Sequence, residues 1–300
     1  MTSPVPQLPL SVWLTAQKTS RWQRHGRYLP DSVRHPARML PAIAAHAITT
    51  YTQPGDLVLD PMCGIGTTLV EAIHLDRDAI GVEYETAWAS LAIRNIRHAA
   101  DQGATGTATV HTADATRLTQ LLPADMFGRV ALVVTSPPYG PATHGQVKPE
   151  HGHGIAKTHH AYGDPHDRVN LAHAGRDLVD GFTQILAECV TALRPGGIVA
   201  VTARPFRRNG TLIDLPSQVV QAGVDVGLQP VERCVALLAA LRDGRLISRA
   251  SFFQTHLVRK ARAAGVPMQL LVHEDVLILQ KPHNAQMPSA TPAGTRRGRP

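Results

Sequence analysis

Between positions 56 and 135 the chain alternates short apolar runs with longer stretches of helical spacing, and few folds accept that rhythm. "DLVLD" (56–60), "AIGVE" (79–83), "TATVHTAD" (107–114) and "RVALVVT" (129–135) read as strands. "TTLVEAIHL" (67–75) and "AWASLAIRNIRHAA" (87–100) carry apolar residues at helical spacing. The rhythm resumes with a helix over 177–193, the strand "GGIVAVTA" (196–203), a helix over 216–226, "PVERCVALL" (230–238) and "MQLLVHEDVLILQK" (268–281). A further helix is expected from about 37 to 51. Strands joined through helices pair in parallel by right-handed crossovers, and such a sheet is covered on both faces. The expected class is therefore α/β, a doubly wound and mostly parallel sheet.

The 300 residues, 43% apolar and 18% charged, suit one large α/β domain. The formal net charge of +7 favours a polyanionic partner, nucleic acid first. Cys63, Cys189 and Cys234 are widely spaced and form no C-x-x-C pair, so neither a disulfide framework nor a cysteine zinc site is expected. No basic segment with an apolar core opens the chain, and no run approaches 18 apolar residues. A reducing cytoplasm is the expected compartment, without a membrane.

The first motif is "LVLDPMCGIGTTLVEA" (57–72). It puts Asp60 and Pro61 at a strand end, Cys63, Gly64 and Gly66 in the following turn, and Thr67 and Thr68 at a helix start. Ligands of open α/β sheets sit beyond the strand C-termini. The glycines allow close backbone approach, and the helix N-terminus favours an anion. Leu69 stands where a dinucleotide fingerprint needs its third glycine, and no Gly-Lys-Ser/Thr follows, so neither a dinucleotide nor a phosphate loop is implied. Taken alone the segment also reads as a plain tight turn. Glu83 ends the second strand, where a carboxylate can accept ribose hydroxyls, and Asp114 ends the third, where it can accept from an adenine amine. Each alone also reads as an ordinary strand-end or capping acid. In order along three strand ends, they describe a nucleoside cofactor laid across the sheet edge.

The second motif is "TSPPY" (135–139), at the end of the fourth strand. Proline has no N–H for a ladder bond and fixes its own φ, so the strand stops there. Together, "DPMCGIGTT" and "TSPPY" resemble the S-adenosylmethionine-dependent amino-methyltransferases that act on exocyclic nitrogens of DNA bases. "RHPARMLPAIAAHAI" (34–48) looks like the segment that closes over the methionine end of the cofactor in that family, and "VHEDVLILQK" (272–281) resembles its last strand. The resemblance covers most of 34–281. It implies a Rossmann-like class I methyltransferase with a seven-stranded sheet and an antiparallel last strand. It also implies S-adenosylmethionine as cofactor, held by Asp60, Pro61, Cys63, Gly64, Gly66, Thr67 and Thr68, with Glu83 on the ribose and Asp114 on the adenine.

Ser136, Pro137, Pro138 and Tyr139 match the family's catalytic motif. An exocyclic amine is a poor nucleophile until acceptors hold its N–H groups and turn its lone pair toward the methyl. Ser136 Oγ and the Pro137 carbonyl are the natural acceptors, while Tyr139 would stack on a flipped base. Serine at the first position is more usual in cytosine-N4 enzymes, which makes cytosine N4 the first expectation and adenine N6 the second. Cytosine-C5 chemistry is disfavoured because no Pro-Cys dipeptide occurs.

Around this catalytic part (34–281) the sequence sets a basic arm (1–33) and a Pro/Ala/Gly/Arg-rich tail (282–300) expected to be disordered. The arm carries Lys18, Arg21, Arg24 and Arg27 among Trp13, Trp22 and Tyr28. Two further segments are candidates for target recognition. One is the His/Gly-rich stretch 140–176, read as a loop without clear periodicity and expected to be mobile in the free enzyme. Its histidines (His144, His151, His153, His159, His160, His166) are too irregularly spaced for a metal site, and none is expected. The other is the basic insertion 239–265, where Arg242, Arg245, Arg249, Phe252, Arg259 and Lys260 suit phosphate contacts and stacking. DNA is the expected partner, with a cognate restriction endonuclease or defence partner in view and a nucleoid-associated location. The tRNA guanine-N2 methyltransferases share the glycine turn and a PPYG motif, so RNA is the rival. A non-catalytic nucleic-acid-binding relative is a third reading.

Overall fold

The computed structural model describes residues 8–138, 170–171, 178–208 and 210–283, with the backbone of two short strands at 146–150 and 154–158. In chain order the elements begin with β1 (Val12–Trp13), α1 (Ser20–Arg24), α2 (Pro41–Tyr51), β2 (Leu57–Asp60), α3 (Thr67–His74), β3 (Asp78–Glu83), α4 (Thr86–Asp101) and β4 (Ala108–Thr112). Next come α5 (Leu118–Leu121), β5 (Val130–Thr135), β6 (Gln146–Glu150), β7 (Gly154–Thr158), α6 (Leu178–Ala192) and β8 (Leu193–Ala203). The last are β9 (Phe206–Arg208), β10 (Thr211–Ile213), α7 (Leu215–Asp225), β11 (Gln229–Leu237), β12 (Ala239–Arg242), β13 (Arg245–Ser248), α8 (Phe252–Ala263) and β14 (His273–Gln280).

The main sheet has eight strands in the order β1-β11-β14-β8-β5-β2-β3-β4. β14 runs antiparallel to both of its neighbours, and the other pairings are parallel. The expected seven-stranded pattern is present with one addition, the two-residue β1, which pairs with Val235 and Ala236 at the edge of β11.

Burial on both faces explains the apolar strands. On β8, Val199, Val201 and Ala203 face one side with α6 and α7, while Ala200 faces the other with α2 and α3. On β14, Leu277 and Leu279 alternate in the same way with Val276 and Ile278. The period-2 geometry of a strand makes this unavoidable once both faces are covered.

Three expectations change. Helix α2 starts at Pro41, not near 37, because proline suits the first helical turn and the residue before it stays extended. The stretch 140–176 is not without regular structure, since β6 and β7 pair antiparallel. Sequence periodicity missed them because each strand is only five residues long and turn-rich. Residues 11–33 are not a separate arm over their length: Trp13 and Tyr28 lie 2% and 4% exposed in the cores. The tail beyond His283 and the histidines of 140–176, where mobility was expected, lie outside the described residues. Among the described residues no helix is long and apolar enough to cross a membrane, and no group of metal-binding side chains occurs.

Candidate active site

Parallel strands end together, so β2, β3, β4 and β5 bring Asp60, Glu83, Asp114 and Ser136 to one edge of the sheet. Asp60 is buried and structurally engaged. Its Oδ2 accepts from Thr68 Oγ1 at 2.6 Å and its Oδ1 from the Met62 N–H at 3.1 Å. Burial pushes its carboxyl up to about 6, against the pull of those two donors and of the nearby Thr135 hydroxyl. Thr135 directly precedes Ser136, so the ends of β2 and β5 lie side by side here.

The turn itself is held by left-handed glycines. Gly64 and Gly66 have φ of +54° and +80°, and side chains there would meet His35 Nε2 at 3.0 Å and Ala92 Cβ at 3.1 Å. Both glycines thus serve close approach within the protein, to the 34–48 segment and to α4. Gly66 also caps α3 without any side-chain bond, which leaves the first N–H groups of the helix for another acceptor. Cys63 is a buried space-filler, its thiol pushed well up by burial.

Glu83 lies 9% exposed at the end of β3. Gly64 N–H donates to its Oε2 at 2.7 Å and Glu85 N–H to its Oε1 at 2.8 Å. Each oxygen keeps a lone pair for a further donor. Burial raises the carboxyl to about 7, with the charges of Glu85 and Asp60 adding to the rise. Asp114 lies just past β4 and caps a 3₁₀ turn, its Oδ1 accepting from the Thr116 N–H at 2.9 Å. Its capping reading and its edge position therefore coexist.

Pro61 is buried in the turn after β2. Ser136 and Pro138 are half-buried and Pro137 is buried at the end of β5. Among the described residues Ser136 Oγ has no hydrogen-bond partner. Tyr139 lies outside the described residues.

Several residues that shape the site were not singled out one by one in the sequence, although His35 lies in the 34–48 segment. Gly81, mid-strand in β3, admits Leu69 Cδ1 and Cys63 Sγ within 2.6 and 2.8 Å of where a Cβ would stand. His35 packs edge-on to Trp88 at 4.8 Å. Burial, then the Arg38 charge, lowers it to about 3, so it is neutral at physiological pH. Asn170 donates to Glu85 Oε1 at 3.0 Å and ties the chain beyond Ser136 to the stretch just after Glu83. An Asx residue in a Gly-rich stretch offers no sequence signal for that.

A nucleoside sulfonium fits what these residues offer. Glu83 is a buried carboxyl with lone pairs to spare for a diol, the uncapped helix start suits an anion, and the buried acids suit a cation.

The strand order and this edge are those of the Rossmann-like methyltransferase fold, whose cofactor is S-adenosylmethionine. The crystal structure of TrmN from Thermus thermophilus matches with a TM-score of 0.51 at 17% identity, over 86% of this chain and 53% of that one. In sequence, the family model described as DNA methylase matches residues 3–94, from the amino-terminal segment through the glycine turn and Glu83 into α4. The Type II methyltransferase M2.MboI of Moraxella bovis is 38% identical over 61 residues, 20% of this chain and 22% of that protein. The tRNA (guanine(10)-N2)-dimethyltransferase of Methanocaldococcus jannaschii is 32% identical over 112 residues, 36% of this chain and 31% of that protein. The chain thus matches less than a third of the length of either curated relative.

Proposed function

We propose that this protein is an S-adenosylmethionine-dependent N-methyltransferase that modifies an exocyclic amine of a flipped DNA base, cytosine N4. The observation that carries the reading is the ordered edge: Asp60, Glu83, Asp114 and Ser136 follow strands β2, β3, β4 and β5 in chain order. The DNA methylase match over residues 3–94 supports DNA as the substrate class. The Type II name of the Moraxella relative extends the proposal to a restriction–modification setting, with a cognate endonuclease as partner.

When bound, the cofactor supplies a methyl group made electrophilic by its sulfonium. Glu83 accepts the ribose hydroxyls while Gly64 and Glu85 hold it in place. Asp114 accepts from the adenine amine with the oxygen its cap leaves over. Pro61, Cys63, Gly64, Gly66, Thr67 and Thr68 shape the turn around the methionine end. Ser136 Oγ and the Pro137 carbonyl accept the N–H bonds of the amine, whose lone pair then points away from the ring. The proline pair keeps that carbonyl from drifting. Tyr139 stacks on the flipped base. Arg245 on β13 and Phe252, Arg259 and Lys260 on α8 are exposed and serve the nucleic acid.

A second reading, transfer to guanine N2 of a structured RNA, is favoured by the longer aligned stretch of the Methanocaldococcus tRNA enzyme. One experiment separates them. The protein is incubated with tritiated S-adenosylmethionine and duplex DNA or tRNA, and the labelled nucleoside is identified after digestion. N4-methylcytosine is the expected product, N6-methyladenine moves the target to adenine, and N2-methylguanosine in tRNA overturns the DNA reading. Ser136→Ala should lower transfer by about 10²- to 10³-fold, as loss of a preorganised polar contact does, with cofactor affinity unchanged in calorimetry.

A further inference from the structure

The amino-terminal segment and the 239–265 insertion are more than 200 residues apart in sequence, yet they meet through Gln17. The Gln17 side-chain oxygen accepts from Arg242 Nη1 at 2.9 Å and from the Leu241 N–H at 3.4 Å. Its backbone carbonyl accepts from Arg242 Nη2 at 3.0 Å and Arg249 Nη2 at 3.5 Å. The Ala16 carbonyl takes a further bond from Arg249 Nε at 3.5 Å. Two of the arginines expected on phosphate are therefore engaged in joining the protein to itself.

Around that junction stand cations that are not so engaged. Lys18 follows Gln17 and lies over the Trp22 ring at 4.6 Å. Trp22 is 62% exposed, an unusual position for a tryptophan in a soluble domain. Arg21 is exposed on α1. Arg245 is exposed opposite Arg242, across a hairpin whose Asp243 and Gly244 both have positive φ. The charge is one-sided: residues 8–30 contain no carboxylate, and residues 239–265 contain only Asp243.

The direction of the strands sets where this surface lies. β11 and β8 both run antiparallel to β14, so they run the same way as each other, and β1 and β5 run parallel to them. Residues 14–18 and the β12–β13 hairpin therefore leave the sheet at the same edge as Ser136.

We propose that residues 17–22 and the β12–β13 hairpin form one composite surface that grips the phosphate backbone of duplex DNA beside the Ser136 site. Lys18, Arg21 and Arg245 are its phosphate contacts, Trp22 flanks them, and Gln17 is the positioning residue that joins the two segments. This rests on the DNA reading above for its ligand, and it reassigns Arg242 and Arg249 from phosphate contacts to the clasp.

The test is binding of a fluorescein-labelled 30-base-pair duplex by the full chain, followed by anisotropy over a range of salt. Removing one cation from the phosphate backbone should lower the slope of log K against log salt by about one. The triple variant Lys18→Gln, Arg21→Gln, Arg245→Gln should thus show a slope lower by about three, equally on specific and random duplexes. Gln17→Ala removes no charge but should still weaken binding; unchanged binding would mean that the segments act separately, which overturns the composite surface. Arg129→Gln, at the opposite edge, should bind as the parent does. Unchanged affinity and slope in the triple variant, with its circular dichroism and melting intact, overturns the proposal. So does a weakening confined to a structured RNA probe. Because the readout is binding, a chain that grips duplex through these residues yet leaves DNA unmethylated would sink the enzymatic reading instead.

Discussion

Burial sets the two site carboxyls well above their ordinary range. That of Glu83 sits at about 7 in the fold against an ordinary 4.5, and Asp60 sits at about 6 against 3.8. Between these limits the folded chain holds protons that the unfolded chain has already released. Stability of the free protein must therefore fall as pH rises from about 4 to about 7.5, by about 3 kcal/mol for Glu83 alone. Urea unfolding at a series of pH values measures it, and Glu83→Gln should flatten the slope; a slope identical in both proteins would refute the assignment. Cofactor affinity should run the other way, falling below pH 7 as Glu83 takes up its proton. Gly81 makes a second residue-scale prediction. An added methyl would collide with Leu69 and Cys63, so Gly81→Ala should cost about 1–3 kcal/mol in chemical denaturation. The acids were legible because acceptors at successive strand ends form a pattern. Gly81 was not, because a glycine inside a strand reads only as a weak strand residue.

At the scale of elements, α3 is the hinge between turn and amino-terminal segment. Glu71 lies 4% exposed on this helix, where it accepts from Arg27 at 2.8 and 2.7 Å and from Tyr28 Oη at 2.7 Å. Removing one partner of such a buried set leaves the others unsatisfied. Glu71→Ala should destabilise the fold by about 3–5 kcal/mol, whereas Tyr28→Phe should cost about 1 kcal/mol; equal costs would mean that the ion pair carries nothing. Asn95, fully buried on α4, reinforces the same link by bonding Ser32 and the Ile65 carbonyl. Deleting residues 1–33 should therefore yield an aggregating chain, not a trimmed enzyme, as solubility and far-ultraviolet dichroism would report. The basic residues and prolines of this segment suggested an arm outside the catalytic part. What composition cannot convey is that Trp13 and Tyr28 find places in two separate hydrophobic clusters.

The whole molecule places the proposed chemistry on a sheet edge whose strands are rigid and whose turns are not interchangeable. Ligand linkage tests it at this scale. S-adenosylhomocysteine at about 100 times its dissociation constant should stabilise the chain by about 2.7 kcal/mol. Absence of any shift in the urea midpoint would remove the cofactor from the proposal.

The alternation of strands and helices, the parallel sheet and the order of the edge acids are written locally in the chain, because period-2 and helical spacing, turn glycines and prolines act over a few residues. Burial, pKa values and joins between distant segments obey no such short rule. Tertiary packing turned Glu83 into an acid of about 7, drew Tyr28 onto Glu71 and brought Gln17 to Arg242. Each depends on which groups share a space once water is excluded, and that is a property of the assembled sheet.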